Sequence, residues 1–193
     1  MRLPLLVALL LVAIVVALAA RPDLYSVQKP GTGPTPLVLA GGERPPARFD
    51  VALPVVPIGM RRVRSGGGPL LIHYWAPWER DSRVQARALD SLARSPELAG
   101  FRVAVVCFDP FPSVARFVAR QRLTVPVLLD GRRELAAALP CPSLPYTYLV
   151  DRSGRIALAM PGHVAWWDPV TIAALRRLAA EPAGATPEAR RTS

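Results

Sequence analysis

Cysteine and histidine are scarce in this chain, two of each among 193 residues. Two thiols cannot staple a small secreted scaffold or supply a four-thiolate zinc site, and two imidazoles argue against a metal enzyme. No metal or other cofactor is expected. Lysine is scarcer still. Lys29 is the only one, so the net charge of +10 is carried almost wholly by arginine and persists at any attainable pH. These arginines do not gather into one stripe: the pairs Arg61/Arg62, Arg132/Arg133, Arg176/Arg177 and Arg190/Arg191 are spread along the chain, so nucleic acid is not an expected partner. With 51% apolar residues, the chain has enough material for a core and is not disordered throughout.

What is present in quantity is apolar sequence at the start. Every residue from Leu3 to Ala20 is apolar, with Arg2 before and Arg21 after. At about 1.5 Å per residue a helix of that length spans roughly 27 Å, close to a bilayer core. The length favours a retained transmembrane anchor over residues 1–20. Ala17-Leu18-Ala19 has the small-x-small form of a cleavage site, so a cleaved signal peptide is the alternative. Either way the remainder is expected outside the cytoplasmic membrane, periplasmic or otherwise extracytoplasmic. Residues 21–57 hold eight prolines and four glycines, a composition that excludes a helix and a central strand. It reads as a stiff spacer over 21–47, with Phe49 to Pro57 laid against a domain that begins at 48 and ends at 182. Residues 183–193 read as a loose tail.

Within 48–182 short apolar runs alternate with amphipathic stretches. Leu70 to Trp75, after the Gly66-Gly67-Gly68 turn, reads as a buried strand. Val84, Ala88, Leu89 and Leu92 mark one face of a helix that ends near Arg94-Ser95-Pro96. Val103 to Phe108 is a second buried strand, and a crossover this long implies that the two are parallel. Val114, Phe117 and Val118 mark another helix, Val125 to Leu129 another strand, and Arg133 to Leu139 a short helix. Tyr146 to Val150 and Ile156 to Met160, separated by Asp151-Arg152-Ser153-Gly154-Arg155, read as a hairpin. Asp168-Pro169 opens a last helix that would bury Val170, Ala174, Leu175 and Leu178. The sum is an α/β sandwich.

Three segments carry a resemblance. Tyr74-Trp75-Ala76-Pro77-Trp78, after a buried strand and before a helix, resembles the approach to a thioredoxin active site. Leu144-Pro145-Tyr146-Thr147-Tyr148-Leu149-Val150, continuing through the Asp151 to Arg155 turn, resembles the cis-proline strand and hairpin of that fold, and Val125 to Asp130 resembles the exported, membrane-anchored redoxins of the TlpA type. The resemblance covers roughly residues 48–180. It implies a thioredoxin-like α/β sandwich, a central mixed sheet flanked by helices, and thiol-disulfide exchange outside the cytoplasm, often in cytochrome c maturation.

Where that family has Cys-x-x-Cys, this chain has Glu79-Arg80-Asp81-Ser82. A helix N-terminus holds the Glu79 carboxylate well, but neither a carboxylate nor the Ser82 hydroxyl forms a mixed disulfide, so the dithiol cycle is not open to this chain. Glu79 and Asp81 read as partners of the helix dipole rather than as an acid/base pair, and His73 as a core histidine rather than a catalytic one. His163 beside Trp166 and Trp167 reads as packing under the last helix, with a surface aromatic cluster as the alternative. Cys107 is expected in the core. Cys141, four residues before Pro145, is the one candidate thiol for a monothiol redoxin, against a small buried hydrophobe. A Cys107–Cys141 bridge would have to span about two strand spacings, roughly 9.6 Å, beyond the usual limit of about 7 Å between bridged Cα atoms, unless the Cys141 loop leans over. The resemblance implies that the peptide before Pro145, with Trp78, Glu79 and Leu144, lines a groove for an extended segment of a protein partner, paired backbone to backbone without any cysteine; the alternative is that Pro145 only keeps the fold's turn.

Overall fold

The computed structural model describes residues 35–39 and 43–182; the apolar N-terminal run and the tail from 183 lie outside them. Seven strands, β1 (Asp50–Val56), β2 (Met60–Arg64), β3 (Leu70–Trp75), β4 (Arg102–Cys107), β5 (Val127–Leu129), β6 (Tyr146–Val150) and β7 (Ile156–Pro161), form one mixed sheet in the order β2-β1-β5-β4-β3-β6-β7. Four helices accompany them: α1 (Arg80–Ala93), α2 (Phe111–Gln121), α3 (Glu134–Ala138) and α4 (Pro169–Ala180). The expected α/β sandwich is present. β3, β4 and β5 run parallel, joined through α1 and α2, while β1, β6 and β7 pair antiparallel to their neighbours. β3 lies inside the sheet with helices on both faces, which is why all six of its residues are buried and its sequence runs apolar without alternation.

The pleat divides the core. Leu71 and Trp75 face one layer with Ala86, Leu89 and Leu92 of α1, Val114 of α2 and Leu175 and Leu178 of α4; Leu70, Ile72 and Tyr74 face the other with Leu135, Leu139, Leu53 and Tyr148. At about 1.5–3 kcal/mol per fully buried large apolar side chain, these two layers supply the main favourable contribution to folding.

Three expectations change. The Pro-rich region does hold an interior strand: β1 lies between β2 and β5 despite Pro54. It pairs with β2 over Asp50 to Pro54 and with β5 only through Val55 and Val56, so the missing N–H of Pro54 falls before pairing with β5 begins. The packing also reaches back before residue 48. Leu37 is fully buried and donates its N–H to Thr171 Oγ1 at 2.7 Å, Thr35 bridges Val164, Arg44 pairs with Glu181 and Asp151, and Pro46 bridges Arg155. Residues 35–39 and 43–49 therefore form a strap against the domain rather than free spacer. Third, Val84 and Val170 are exposed, not buried; the inner face of α1 is Ser82, Gln85, Ala86, Leu89, Asp90 and Leu92, and α4 buries Thr171 in place of Val170. Gln85, Asp90 and Thr171 find partners inside, which a count of apolar residues cannot register. The strand expected over Val125 to Leu129 begins at Val127, because Val125 N–H is held by the Asp90 carboxylate.

Candidate functional site

The register Tyr74↔Tyr146 and Tyr146↔Pro161 sets the end of β3, the start of β6 and the end of β7 at one end of the sheet. Everything the sequence singled out around the redoxin-like motif is attached there. Beyond Trp75 the chain runs through Ala76, Pro77 and Trp78 to Glu79, the N-cap residue of α1, in extended backbone. Its carboxylate accepts hydrogen bonds from Asp81 N–H at 2.9 Å and from Ser82 N–H, satisfying two of the donors that a helix start leaves unpaired. Asp81 stands exposed in the first turn, where a negative charge meets the positive end of the helix dipole. Ser82 is fully buried beneath the cap, and its hydroxyl has no hydrogen-bond partner among the described residues. Trp78 is 66% exposed.

Pro145 is one register step beyond Tyr146, beside Trp75, and the Leu144–Pro145 peptide is cis, as the motif implied. The Pro145 carbonyl accepts the N–H of Gly162 at 2.8 Å; Gly162 has φ +83°, a left-handed turn that brings the chain leaving β7 back toward Pro145. Leu144, half-buried, uses neither its N–H nor its C=O in any hydrogen bond among the described residues. A free backbone donor and acceptor at a sheet end suit an extended polypeptide.

Beneath this surface lies a buried polar group of residues that the sequence indicated only in part. His73 is fully buried, its Nδ1 lies 3.0 Å from Thr147 Oγ1, and its ring meets Trp166 edge-on at 5.9 Å between centroids. Burial, helped by the charge of His163, pushes the His73 imidazole down to about 3, so it is neutral at physiological pH. Gln85 clamps the loop after β7, donating to Val164 C=O at 3.1 Å and accepting Val164 N–H at 3.0 Å. This residue was missed; the signal available was a polar side chain three positions after Ser82 and four before Leu89, on the stripe that turned out to face inward. His73 is a core histidine, as expected, and Trp166 is buried packing while Trp167 is 52% exposed.

Both cysteines are free. Burial raises the Cys107 thiol to about 12, and its Sγ lies 3.4 Å from Asp109 Oδ2. Cys141, half-buried, donates to Ser143 C=O at 3.1 Å; burial raises its thiol to about 11, only partly opposed by Arg133. At neutral pH such a thiol is about one part in ten thousand thiolate, and the thiolate is the nucleophile. Among the described residues, no three His, Cys, Asp or Glu side chains converge as a metal site would require.

Residues 58–159, which run from the β1–β2 turn through β3 and the cis-proline into β7, match the AhpC/TSA family. The chain belongs to that family. AhpC/TSA proteins similar to it include the thiol-disulfide oxidoreductase ResA of Geobacillus thermodenitrificans, 24% identical over 97 residues that make up 50% of this chain and 56% of ResA. The match thus spans about half the length of that relative. Among solved structures, peroxiredoxin Q of Xanthomonas campestris superposes with a TM-score of 0.58 at 24% identity, covering 72% of this chain and 98% of that one. StoA from Bacillus subtilis superposes at 0.56 with 17% identity, covering 62% and 92%. These likenesses establish a thioredoxin-like fold in a family related to thiol-disulfide oxidoreductases. Among the described residues no helix is long and apolar enough to cross a membrane.

Proposed function

We propose that this chain is an exported, membrane-tethered thioredoxin-fold module that lacks the dithiol site and holds an extended segment of a protein partner at the Leu144–Pro145 opening. The observation that carries the reading is the Glu79 carboxylate seated on the start of α1 with Ser82 buried behind it. In this reading Glu79 and Ser82 stand where an exchange-competent redoxin has its two sulfurs, and the cap already fills the place where a thiolate would draw stabilisation from the helix start. The groove needs no sulfur: Leu144 offers its backbone, Pro145 shapes the turn, and exposed Trp78 supplies apolar area at the rim. The tether rests on the apolar run Leu3 to Ala20. What supports binding over the alternative, a monothiol oxidoreductase acting through Cys141, is the raised Cys141 thiol.

Disulfide reduction with insulin as substrate tests this. The wild-type chain is expected to be inactive, and Glu79→Cys with Ser82→Cys is expected to confer activity; a folded but inert double variant counts against the assigned register. Wild-type activity that disappears in Cys141→Ser would replace the binding reading with the monothiol one. A photo-crosslinking residue at Trp78 is expected to capture a partner segment that one at Trp167 does not.

A further inference from the structure

The strap shows where the chain joins the domain. Thr35 N–H donates to His163 C=O at 3.0 Å and Ala165 N–H donates to Thr35 C=O at 2.9 Å, so the strap begins in the same loop whose Gly162 holds Pro145 and whose Val164 is held by Gln85. Leu37 meets the start of α4 at Thr171, and Arg44 meets its far end at Glu181. Whatever precedes Thr35 therefore leaves the domain at the end that carries the candidate groove. Apolar side chains are exposed at that end. Val38 (61%) follows Leu37, whose N–H meets Thr171, while Trp167 (52%) and Val170 (51%) lie at the start of α4 just before Thr171, and Trp78 lies at the same end of the sheet.

We infer that the Val38, Trp167 and Val170 patch rests on the surface of an anionic lipid bilayer, with the groove held at the membrane interface. The inference rests on the tethered reading above. Its support is the length of chain outside the described residues and the point where it joins. Fourteen residues, 21–34, separate the apolar run from Thr35, and even fully extended at about 3.1 Å per residue they reach roughly 43 Å. Because this leash joins the domain at the groove end, that end can reach a bilayer surface without the leash passing around the domain. Tryptophan favours the boundary between hydrocarbon and headgroups, and a chain of net charge +10 is drawn to an anionic surface. The segment that the groove takes would then be one presented at the membrane surface.

The test uses the full chain reconstituted into phosphatidylethanolamine–phosphatidylglycerol vesicles that carry brominated acyl chains, with tryptophan fluorescence as the readout. Trp75 and Trp166 are buried, so quenching is expected from the exposed pair, and Trp167→Phe is expected to remove about half of it. Val38→Asp with Val170→Asp is expected to reduce quenching as well. Ile58→Asp, at an 87% exposed position in the β1–β2 turn, is expected to leave it unchanged. A chain that floats with the vesicles yet shows no quenching, or quenching indifferent to Trp167→Phe, overturns the docking and leaves the tether standing. A vesicle-bound chain that crosslinks to its own copy through this patch identifies a second copy as the occupant and also overturns it. A chain that does not float with the vesicles overturns the tether and the docking together.

Discussion

Glu79 caps α1 through both carboxylate oxygens, and that one contact separates two uses of the same helix start. Unpaired N–H groups at a helix N-terminus attract an anion; here the anion is already covalently part of the chain. Glu79→Ala is expected to cost about 1 kcal/mol, read as a lower urea midpoint with an unchanged slope, whereas a cap without consequence would leave the midpoint in place. His73 carries a different expectation. Its folded value, about 3, lies below its unfolded value of about 6.5, so the unfolded chain binds a proton through that interval and the native state does not. Stability is therefore full above about pH 6.5 and falls as the pH drops toward 3, by up to about 1.4 kcal/mol per pH unit from this group. His73→Leu is expected to flatten that part of the stability profile relative to wild type; identical slopes from pH 6.5 to 4 in the two proteins would contradict the buried neutral imidazole.

Helix α1 is fixed to the sheet by two polar side chains on its inner face as much as by Leu89 and Leu92. Gln85 holds both backbone groups of Val164, and Asp90 accepts Thr124 N–H and Val125 N–H, each at 2.7 Å, along with an ion pair to Arg94. Removing Gln85 orphans the buried Val164 N–H, whose C=O keeps Trp166 N–H at 3.1 Å, and removing Asp90 orphans the buried Val125 N–H, at about 1–3 kcal/mol each. Asp90→Ala is expected to cost about 2 kcal/mol in urea denaturation, since the buried Val125 N–H is orphaned. Gln85→Ala is expected to cost a similar amount and also to loosen the loop after β7, so that amide exchange at Val164 and Ala165 quickens. A loss of stability with unchanged exchange there would show that Gln85 does not position the loop. The link matters because this loop supports Pro145 through Gly162 and receives the strap at Thr35.

The strap adds residues 35–39 and 43–49 to the sheet-and-helix domain. Leu37 adds to the layer beneath α4, and Arg44 closes the far end with a two-pronged pair to Glu181, at 2.6 and 2.9 Å, and a contact to Asp151. Leu37→Ala is expected to cost about 3 kcal/mol, and limited proteolysis is expected to cut within 35–39 or 43–49 before any other described segment. First cleavage in the β1–β2 turn instead would mean that the strap is held more firmly than its single buried leucine implies.

The alternation of β3, α1, β4, the β6–β7 hairpin and the closing α4 was legible in the chain because each element repeats its own period or carries its own punctuation, such as Asp168-Pro169 ahead of a helix. The carboxylate cap at Glu79 and the cis peptide before Pro145 were equally legible, being matters of identity and spacing. Side-chain chemistry is local, so these readings need no fold. β1 was not legible, since a proline every few residues excludes a strand unless one knows that the strand changes partner at Pro54. Nor were the strap and the inner face of α1, where Ser82, Gln85 and Asp90 replace the expected Val84. Gln85 and Asp90 turn inward because distant backbone groups receive them: Val164 and Val125, 79 and 35 positions away, come within reach only once the sheet has closed.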